Sequence, residues 1–176
     1  GMKIRSLEDF PDAPDVVEDG KTFEENAIKK AVACAKHTGL LTLADDSGLM
    51  VDVLRGAPGI KSHRYAGPNA TDFENNMKLL DEMKNVAFND RTAQFVCCIA
   101  IANNNGLIRT VTGKCEGIIL TEPRGRGGFG YDPLFMKSDY QKTFAELPLE
   151  IKNRISHRAM ALEKAVLAIE SYLLAK

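Results

Sequence analysis

Two adjacent carboxylates at the end of a short apolar run are the first side chains in this sequence that could do chemistry. Residues 40–44 are mostly apolar, and Asp45 and Asp46 follow them directly, before Ser47 and Gly48. The pattern predicts a buried strand that opens into a loop, and ligand sites in α/β folds lie at such strand ends. One interpretation is a Mg²⁺ ligand and a base that orients water, and the other is a solvated turn.

A glycine-rich segment over residues 124–133 is the second candidate site. Its glycines let the backbone approach a ligand closely, Phe129 and Tyr131 could stack on a base, and Asp132 could bind a ring nitrogen. No Gly-Lys-Ser/Thr follows, so the segment is not a Walker phosphate loop. The alternative is a flexible loop or a β-bulge.

Basic residues near the start of the last predicted helix form the third candidate. The helix begins near Ser156, followed by His157 and Arg158, with Lys152 just before them. A helix N-terminus attracts anions, and cations there oppose the helix dipole, which favours a functional role over a solvated first turn. Glu18 and Lys30 are weaker candidates, because charged residues of this kind are most often only solvated.

Capping motifs mark the helices that must position these residues. Thr22 to Glu25 and Thr71 to Glu74 each form a capping box, and Gly39 is expected to end the first helix near Thr38. The last helix is predicted to bury an apolar stripe at helical spacing. That stripe consists of Leu162, Val166, Ile169 and Leu173.

Alternating apolar residues predict a long antiparallel hairpin. The two strands cover residues 92–102 and 107–119, and the pair Asn105-Gly106 between them favours the positive φ angles of a tight turn. No linker or repeat divides the sequence. Helices and strands therefore predict one α/β domain over residues 1–176.

Composition and charge exclude several classes of protein. The 176 residues include 23 basic and 24 acidic side chains, a net charge of -1 that argues against a dedicated nucleic-acid or membrane-surface binder. The longest apolar run, residues 95–102, is too short to cross a membrane. The four cysteines lack C-x-x-C spacing and are expected to be buried in a reducing compartment, which predicts a cytoplasmic protein.

Four motifs in a fixed order resemble one family. Together they are similar to the Ham1-like inosine/xanthosine triphosphate pyrophosphatases, which cleanse non-standard purine nucleotides. The likeness extends from about Glu18 to the C-terminus. The motifs are Leu43-Ala-Asp-Asp-Ser-Gly-Leu49, Gly56-Ala-Pro-Gly59 with Ser62-His-Arg-Tyr-Ala-Gly67, Gly127-Gly-Phe-Gly-Tyr-Asp-Pro133, and Ile155-Ser-His-Arg158.

The resemblance implies a mixed-sheet α/β fold with a long central cleft flanked by helices, and usually a homodimer. It implies Mg²⁺-dependent cleavage of ITP, dITP or XTP between the α and β phosphates, which yields the monophosphate and pyrophosphate. By the same resemblance the nucleotide is the partner, with no nucleic acid and no membrane.

Residue roles also follow from the resemblance. Asp46 matches the catalytic acid that activates water, and Lys30 matches a phosphate-binding lysine. Glu18, Asp45 and Asp46 match the acids around the metal, and Ser47 contacts the substrate. The base pocket corresponds to Phe129, Gly130, Tyr131 and Asp132, and the residues that bind the 6-oxo side of the purine correspond to Lys152, His157 and Arg158.

One part of the family pattern is not found. Family members carry an N-terminal strand and a Thr/Ser-x-Asn-x-x-Lys phosphate loop, whereas the lysines in the first 25 residues here are Lys3 and Lys21, outside such a motif. We therefore expect the phosphate loop and one strand to be missing. The alternative function is that of an N-terminally truncated homologue that binds nucleotide or self-assembles without turnover.

Overall fold

The computed structural model describes residues 2–175 and shows an α/β protein, as predicted. Gly1 and Lys176, the two ends of the predicted domain, lie outside the described residues. The α-helices are α1 (Phe23–Thr38), α2 (Asp72–Glu82), α3 (Leu149–Ile155) and α4 (His157–Leu174). The strands are β1 (Thr42–Val51), β2 (Thr92–Asn103), β3 (Gly106–Ile119), β4 (Phe135–Lys137) and β5 (Lys142–Thr143).

The five strands form one sheet in the order β1-β2-β3-β4-β5. β4 pairs antiparallel with β3, with Ile118 opposite Met136, and also with β5, with Met136 opposite Thr143. The sheet is antiparallel, where the resemblance implied a mixed one. The connections between β2 and β3 and between β4 and β5 are two and four residues long, and connections this short join antiparallel strands.

Both capping motifs start helices where the sequence predicts them. Thr22 caps α1 by accepting a hydrogen bond from Glu25 N at 3.1 Å, and Gly39 ends the helix with φ +69°. The Glu25 carboxylate accepts from Lys21 N at 2.6 Å. Thr71 and Glu74 form the complete reciprocal box at α2. These local hydrogen bonds satisfy amides that the first turn of a helix leaves without partners.

The long hairpin is confirmed, with a small difference at its turn. Asn104 and Asn105 form the two-residue connection between β2 and β3. Positive φ angles were expected of both Asn105 and Gly106. Gly106 has φ +125°, but the φ of Asn105 is not positive. Glycine therefore supplies the unusual backbone angle, since it has no Cβ to clash.

Strand β1 differs from its prediction. It runs without a break from Thr42 to Val51, so Asp45, Asp46 and Ser47 lie within a strand and not in a loop after it. Asp and Ser have low strand propensity, but pairing in a sheet overrides that preference. The prediction of a loop at these residues is wrong.

The predicted buried stripe of α4 is also wrong. Leu162, Val166 and Leu173 are 42%, 52% and 49% exposed. The buried positions of the helix are alanines instead, at Ala161, Ala165 and Ala168. A stripe of large side chains is what hydropathy alone favours, but a closely packed helix buries its small residues.

Two compact units alternate along the chain. Within the described residues the first unit contains 2–46, 98–111 and 164–175, and the second contains 47–97 and 112–163. The prediction of a single domain stays a prediction beside this division. In the second unit the core includes Phe95, Phe135 and Phe144, and the ring centroids of Phe95 and Phe135 lie 4.5 Å apart.

The cysteines and the helices both bear on what composition predicts. All four cysteines are buried thiols, as predicted. Among the helices of residues 2–175, none has both the length and the apolar character that a membrane span requires.

A buried arginine holds the second unit together at the end of α2. Arg91 is 1% exposed, and its guanidinium donates to four main-chain carbonyls. Nε lies 2.7 Å from Ile119 O and Nη2 lies 2.9 Å from Leu120 O. Nη1 lies 2.7 Å from Met83 O and 3.4 Å from Val86 O. The side chain therefore joins the C-terminal end of α2 to the end of β3.

Replacing Arg91 by leucine is expected to destabilise the protein strongly. Arg91→Leu leaves buried carbonyls without donors, and such losses amount to about 3 kcal/mol in the free energy of unfolding. Urea denaturation measures the change. Arg91→Lys, which keeps part of the donor set, should lose less, and the exposed Arg109→Leu should change stability by less than about 0.5 kcal/mol. An Arg91→Leu protein as stable as the parent would contradict the structural role.

Candidate functional site

Lys30 of α1 joins two carboxylates in the first unit. Its Nζ lies 2.8 Å from Glu18 Oε1 and 3.4 Å from Asp46 Oδ1. The side chain of Asp46 is 13% exposed, and Asn26 Nδ2 donates to Asp46 Oδ2 at 3.1 Å. Three of the residues singled out in the sequence are thus brought together, from the segment before α1, from α1 and from β1. We call Glu18, Asn26, Lys30 and Asp46 the acid–lysine cluster.

Asn26 positions this cluster, and sequence reasoning missed it. Its side chain is 1% exposed, and its Oδ1 accepts from Gly20 N at 2.8 Å, which holds the loop carrying Glu18 against the start of α1. A Cβ on Gly20 would lie 2.5 Å from that oxygen, so this approach requires glycine. Lys30 lies four residues after Asn26, one turn along the same face of the helix.

Burial and charge shape the protonation of the cluster. Burial raises the pKa of Asp46 above its ordinary value, while the Lys30 charge and the Asn26 hydrogen bond oppose the rise. Burial alone would lower the pKa of Lys30, but its hydrogen bond to Glu18 and the charges of Asp46 and Glu18 raise it. The two carboxylates therefore stabilise the ammonium form of Lys30, whereas burial disfavours the charged form of Asp46.

Asp45 and Asp46 are consecutive residues of strand β1. Side chains that follow one another along a strand point to opposite faces of the sheet. Within the acid–lysine cluster, Asp46 contacts Lys30 and Asn26. Asp19, next to Glu18, forms a separate exposed ion pair with Lys29.

The cluster has donors that suit Mg²⁺, although not a complete cage. Within residues 2–175 no group of three or more His, Cys, Asp or Glu side chains is arranged to hold a metal ion. Mg²⁺ is usually bound by one or two carboxylates, with waters and substrate phosphates in the remaining positions. Glu18 and Asp46, which share Lys30, have the chemistry of such a partial site.

The second unit contains a cavity of about 440 Å³, within the usual range for a small-molecule site. Its walls combine apolar side chains with polar and charged ones. Every residue predicted for the base pocket or the 6-oxo side lines it, and so does Ser47. These are Phe129, Gly130, Tyr131, Asp132, Lys152, His157 and Arg158.

The glycine-rich segment is held around the Asp132 carboxylate. Asp132 is 3% exposed, and its Oδ2 accepts from Phe129 N at 3.0 Å and from the Lys152 ammonium. Gly128 has φ +73°, and a Cβ there would lie 2.0 Å from Asp132 Oδ2. The segment is therefore an ordered turn and not a flexible loop. The Oδ2 atom that could have bound a ring nitrogen is engaged within the turn.

The two aromatic residues of this segment have different surroundings. Phe129 is 62% exposed, and the Lys152 ammonium lies 4.7 Å from its ring centroid. Tyr131 is 4% exposed and donates its hydroxyl proton to Ser62 O at 2.7 Å. Phe129 is thus the ring that offers a face to a ligand, while Tyr131 supports the wall.

Basic side chains from two helices meet in this cavity. Lys152 lies on α3, a helix that the sequence analysis did not predict, and His157 and Arg158 begin α4. Ser156 Oγ accepts from Ala159 N at 3.2 Å, as expected of a residue before a helix. The His157 ring stacks on Phe95, with ring centroids 4.8 Å apart and planes 14° apart. The geometry therefore presents hydrogen-bond donors beside an apolar surface.

Sequence reasoning missed the polar residues that α2 contributes. Asp72 and Asn75 line the cavity, and Asn76 donates to Gly130 O. Two adjacent asparagines inside a helix are a signal that could have indicated them, since Asn is a poor helix former. Asn75 and Asn76 are 2% and 9% exposed, so both are buried.

Comparison with known proteins gives consistent matches. A profile of the Ham1 family matches residues 1–168. A dITP/XTP pyrophosphatase of Geobacter sulfurreducens is 59% identical over 159 residues, which cover 90% of this chain and 80% of that protein. A dITP/XTP pyrophosphatase of Desulforamulus reducens is 56% identical over 166 residues, covering 94% of this chain and 83% of that protein.

Solved structures agree with these relatives. A HAM1 protein from Coxiella burnetii has a TM-score of 0.85 and 48% identity, covering 90% of this chain and 82% of that one. The Ham1 protein of Staphylococcus aureus has a TM-score of 0.87 and 44% identity, covering 94% of this chain and 85% of that one. With sequence profile, curated relatives and fold in agreement over most of its length, this chain belongs to the Ham1 family.

Proposed function

We propose that this protein hydrolyses non-standard purine nucleoside triphosphates, namely ITP, dITP and XTP, to the monophosphate and pyrophosphate. The observation that carries the proposal is the cavity of the second unit, where an exposed Phe129 ring lies beside Lys152 and where His157 and Arg158 also line the wall. Relatives more than half identical to this chain are named dITP/XTP pyrophosphatases. The biological role would be cleansing of the nucleotide pool.

The donors of the cavity suit a purine with a 6-oxo group. A carbonyl oxygen accepts hydrogen bonds, and Arg158 and Lys152 can only donate them. Adenine presents an amino group at the same position, which would face these cations donor to donor. A site built to donate to a buried carbonyl rejects a base that lacks it, because its own groups lose their partners. The ring of Phe129 would stack on the base.

The acid–lysine cluster supplies the groups that phosphate chemistry needs. Lys30 would bind phosphate oxygens, and Ser47 would contact the substrate. Asp46 would orient the attacking water and accept its proton as the bond between the α and β phosphates breaks, so that pyrophosphate leaves. Glu18 and Asp46 would hold Mg²⁺, and the family resemblance implies that Asp45 also lies around the metal. The metal would neutralise phosphate charge.

Assembly and location complete the proposal. We propose a homodimer, for which the supporting observation is exposed apolar surface on α2, where Phe73 and Met77 are 72% and 48% exposed one turn apart. We propose a cytoplasmic location because buried thiols at all four cysteines suit a reducing compartment. The alternative, nucleotide binding without turnover, has no observation in its favour beyond the sequence pattern that suggested it.

Replacement of Asp46 tests its role as the base. Asp46→Asn should lower kcat by about 10²- to 10⁴-fold, because the amide cannot accept the proton of water. Pyrophosphate release from dITP with Mg²⁺ measures the rate. Asp19→Asn is the matched control, since Asp19 pairs with Lys29 outside the cluster, and it should keep the parent rate. Parent-like turnover by Asp46→Asn would contradict the assignment.

Substrate choice and metal dependence test the reaction class. ITP, dITP and XTP should release pyrophosphate in Mg²⁺, with ATP and GTP as controls at a much lower rate, and chelation of the metal should stop the reaction reversibly. Equal rates with ATP would refute the assignment of the cavity to 6-oxo purines. Folded protein that turns over none of these nucleotides would refute the pyrophosphatase.

Replacement of Arg158 tests base recognition. Arg158→Leu should lower kcat/KM for ITP by about tenfold or more and leave the low rate with ATP unchanged, because only the 6-oxo base accepts from the guanidinium. The control is Arg154→Leu, an exposed arginine of α3 that does not line the cavity. A similar fall for ITP and ATP would mean that Arg158 serves phosphate binding or folding instead.

A further inference from the structure

The peptide groups of Gly130 are held by α2 on both sides. Gly130 N donates to Asp72 Oδ2 at 2.7 Å, and Gly130 O accepts from Asn76 Nδ2 at 2.9 Å. The contacts cross 58 and 54 residues of sequence, so they are long-range connections between a helix and the glycine-rich segment. We call Asp72 and Asn76 the Gly130 clamp.

Asn76 is suited to this position by its amide hydrogens. Its Nδ2 also donates to Asp72 O at 2.8 Å, so two carbonyl oxygens face the same amide nitrogen. An aspartate of equal size would place a carboxylate against those two oxygens and would have nothing to donate. Asp72 has the opposite requirement, since Gly130 N needs an acceptor and an asparagine oxygen could still supply one.

Gly130 is the point at which the clamp can control the ligand surface. It has φ +58° and follows Phe129, whose ring is exposed beside Lys152. The next residue, Tyr131, is tied separately through its hydroxyl to Ser62 O at 2.7 Å. Fixing the peptide of Gly130 therefore fixes the direction in which the chain presents the Phe129 ring. Loss of the clamp would leave that ring free to adopt several orientations.

We propose that Asp72 and Asn76 are positioning residues for purine binding, which hold the Phe129 ring ready to stack through the peptide of Gly130. The proposal rests on the proposed function of the cavity. It predicts an effect on binding of the base and not on the phosphate chemistry, because preorganisation of a binding surface lowers the cost of association.

Substitutions at the two positions should differ in size according to the hydrogen bonds that they remove. Asn76→Asp should raise KM for dITP by about tenfold or more while kcat stays within about threefold, because donors to two carbonyls are lost. Asp72→Asn keeps an acceptor for Gly130 N, so it should raise KM less than Asp72→Leu does. Asp72→Leu removes the acceptor and should resemble Asn76→Asp, so it provides a second variant if Asn76→Asp does not fold. Circular dichroism confirms folding in each case.

Product inhibition separates positioning of the base from a general loss of structure. Inosine monophosphate should inhibit Asn76→Asp and Asp72→Leu about tenfold less strongly than the parent, whereas inhibition by pyrophosphate should be unchanged. Equal weakening for both products, or parent-like inhibition by inosine monophosphate, would overturn the clamp.

Direct binding of inosine monophosphate, measured by calorimetry, keeps this test independent of turnover. If the parent binds and the clamp variants bind equally well, the clamp alone is wrong. If the folded parent neither binds inosine monophosphate nor hydrolyses dITP, the proposed function fails and the clamp fails with it. If the parent binds inosine monophosphate without hydrolysing dITP, weaker binding by the variants still supports the clamp.

Discussion

The buried carboxylate of Asp132 is the constraint on which the ligand cavity of the second unit depends. A carboxylate that is 3% exposed must be paired, and the Lys152 ammonium and the Phe129 amide both satisfy its Oδ2. The bonds join α3 to the glycine-rich segment and leave the Lys152 charge above the Phe129 ring. Gly128 is required in the same place, because a side chain there would occupy the position of the carboxylate oxygen. One ion pair thus constrains the backbone of the glycine-rich segment and places the cation of the cavity beside the Phe129 ring.

Features encoded by neighbouring residues could be predicted from the sequence. The N-cap at Thr22, the capping box at Thr71 and the turn before Gly106 need only a few adjacent side chains. Phe129 to Asp132, and His157 with Arg158, lie in continuous motifs, and together with Lys152 they line the cavity. Local hydrogen bonding is the reason that such patterns determine local structure.

Features that depend on distant contacts could not be predicted. The amphipathic pattern of α4 points to its leucines, yet the helix approaches β3 so closely that a Cβ on Gly113 would lie 2.1 Å from His157 O and 2.4 Å from Ala161 N. Only a small residue such as Ala161 fits against that strand. The continuation of β1 through Asp46 depends similarly on Lys30, sixteen residues away, which compensates the acid in the strand. Asn76 and its partner Gly130 are further apart still.

The net charge of the chain is close to zero, but its two groups of candidate site residues differ in charge. Glu18 and Asp46 share one lysine in the first unit, while Lys152, His157 and Arg158 surround a cavity in the second. Carboxylates with an ammonium suit a metal and phosphates, and cations beside an aromatic ring suit a base that accepts hydrogen bonds.

A crystal structure of the Asp46→Asn protein with ITP and Mg²⁺ is the most direct measurement of how the substrate binds. We expect hypoxanthine to stack on Phe129, with its O6 within about 3 Å of a donor from Lys152, His157 or Arg158. A base bound outside the cavity of the second unit, with Phe129 free of contact, would contradict the assignment of this cavity to 6-oxo purines.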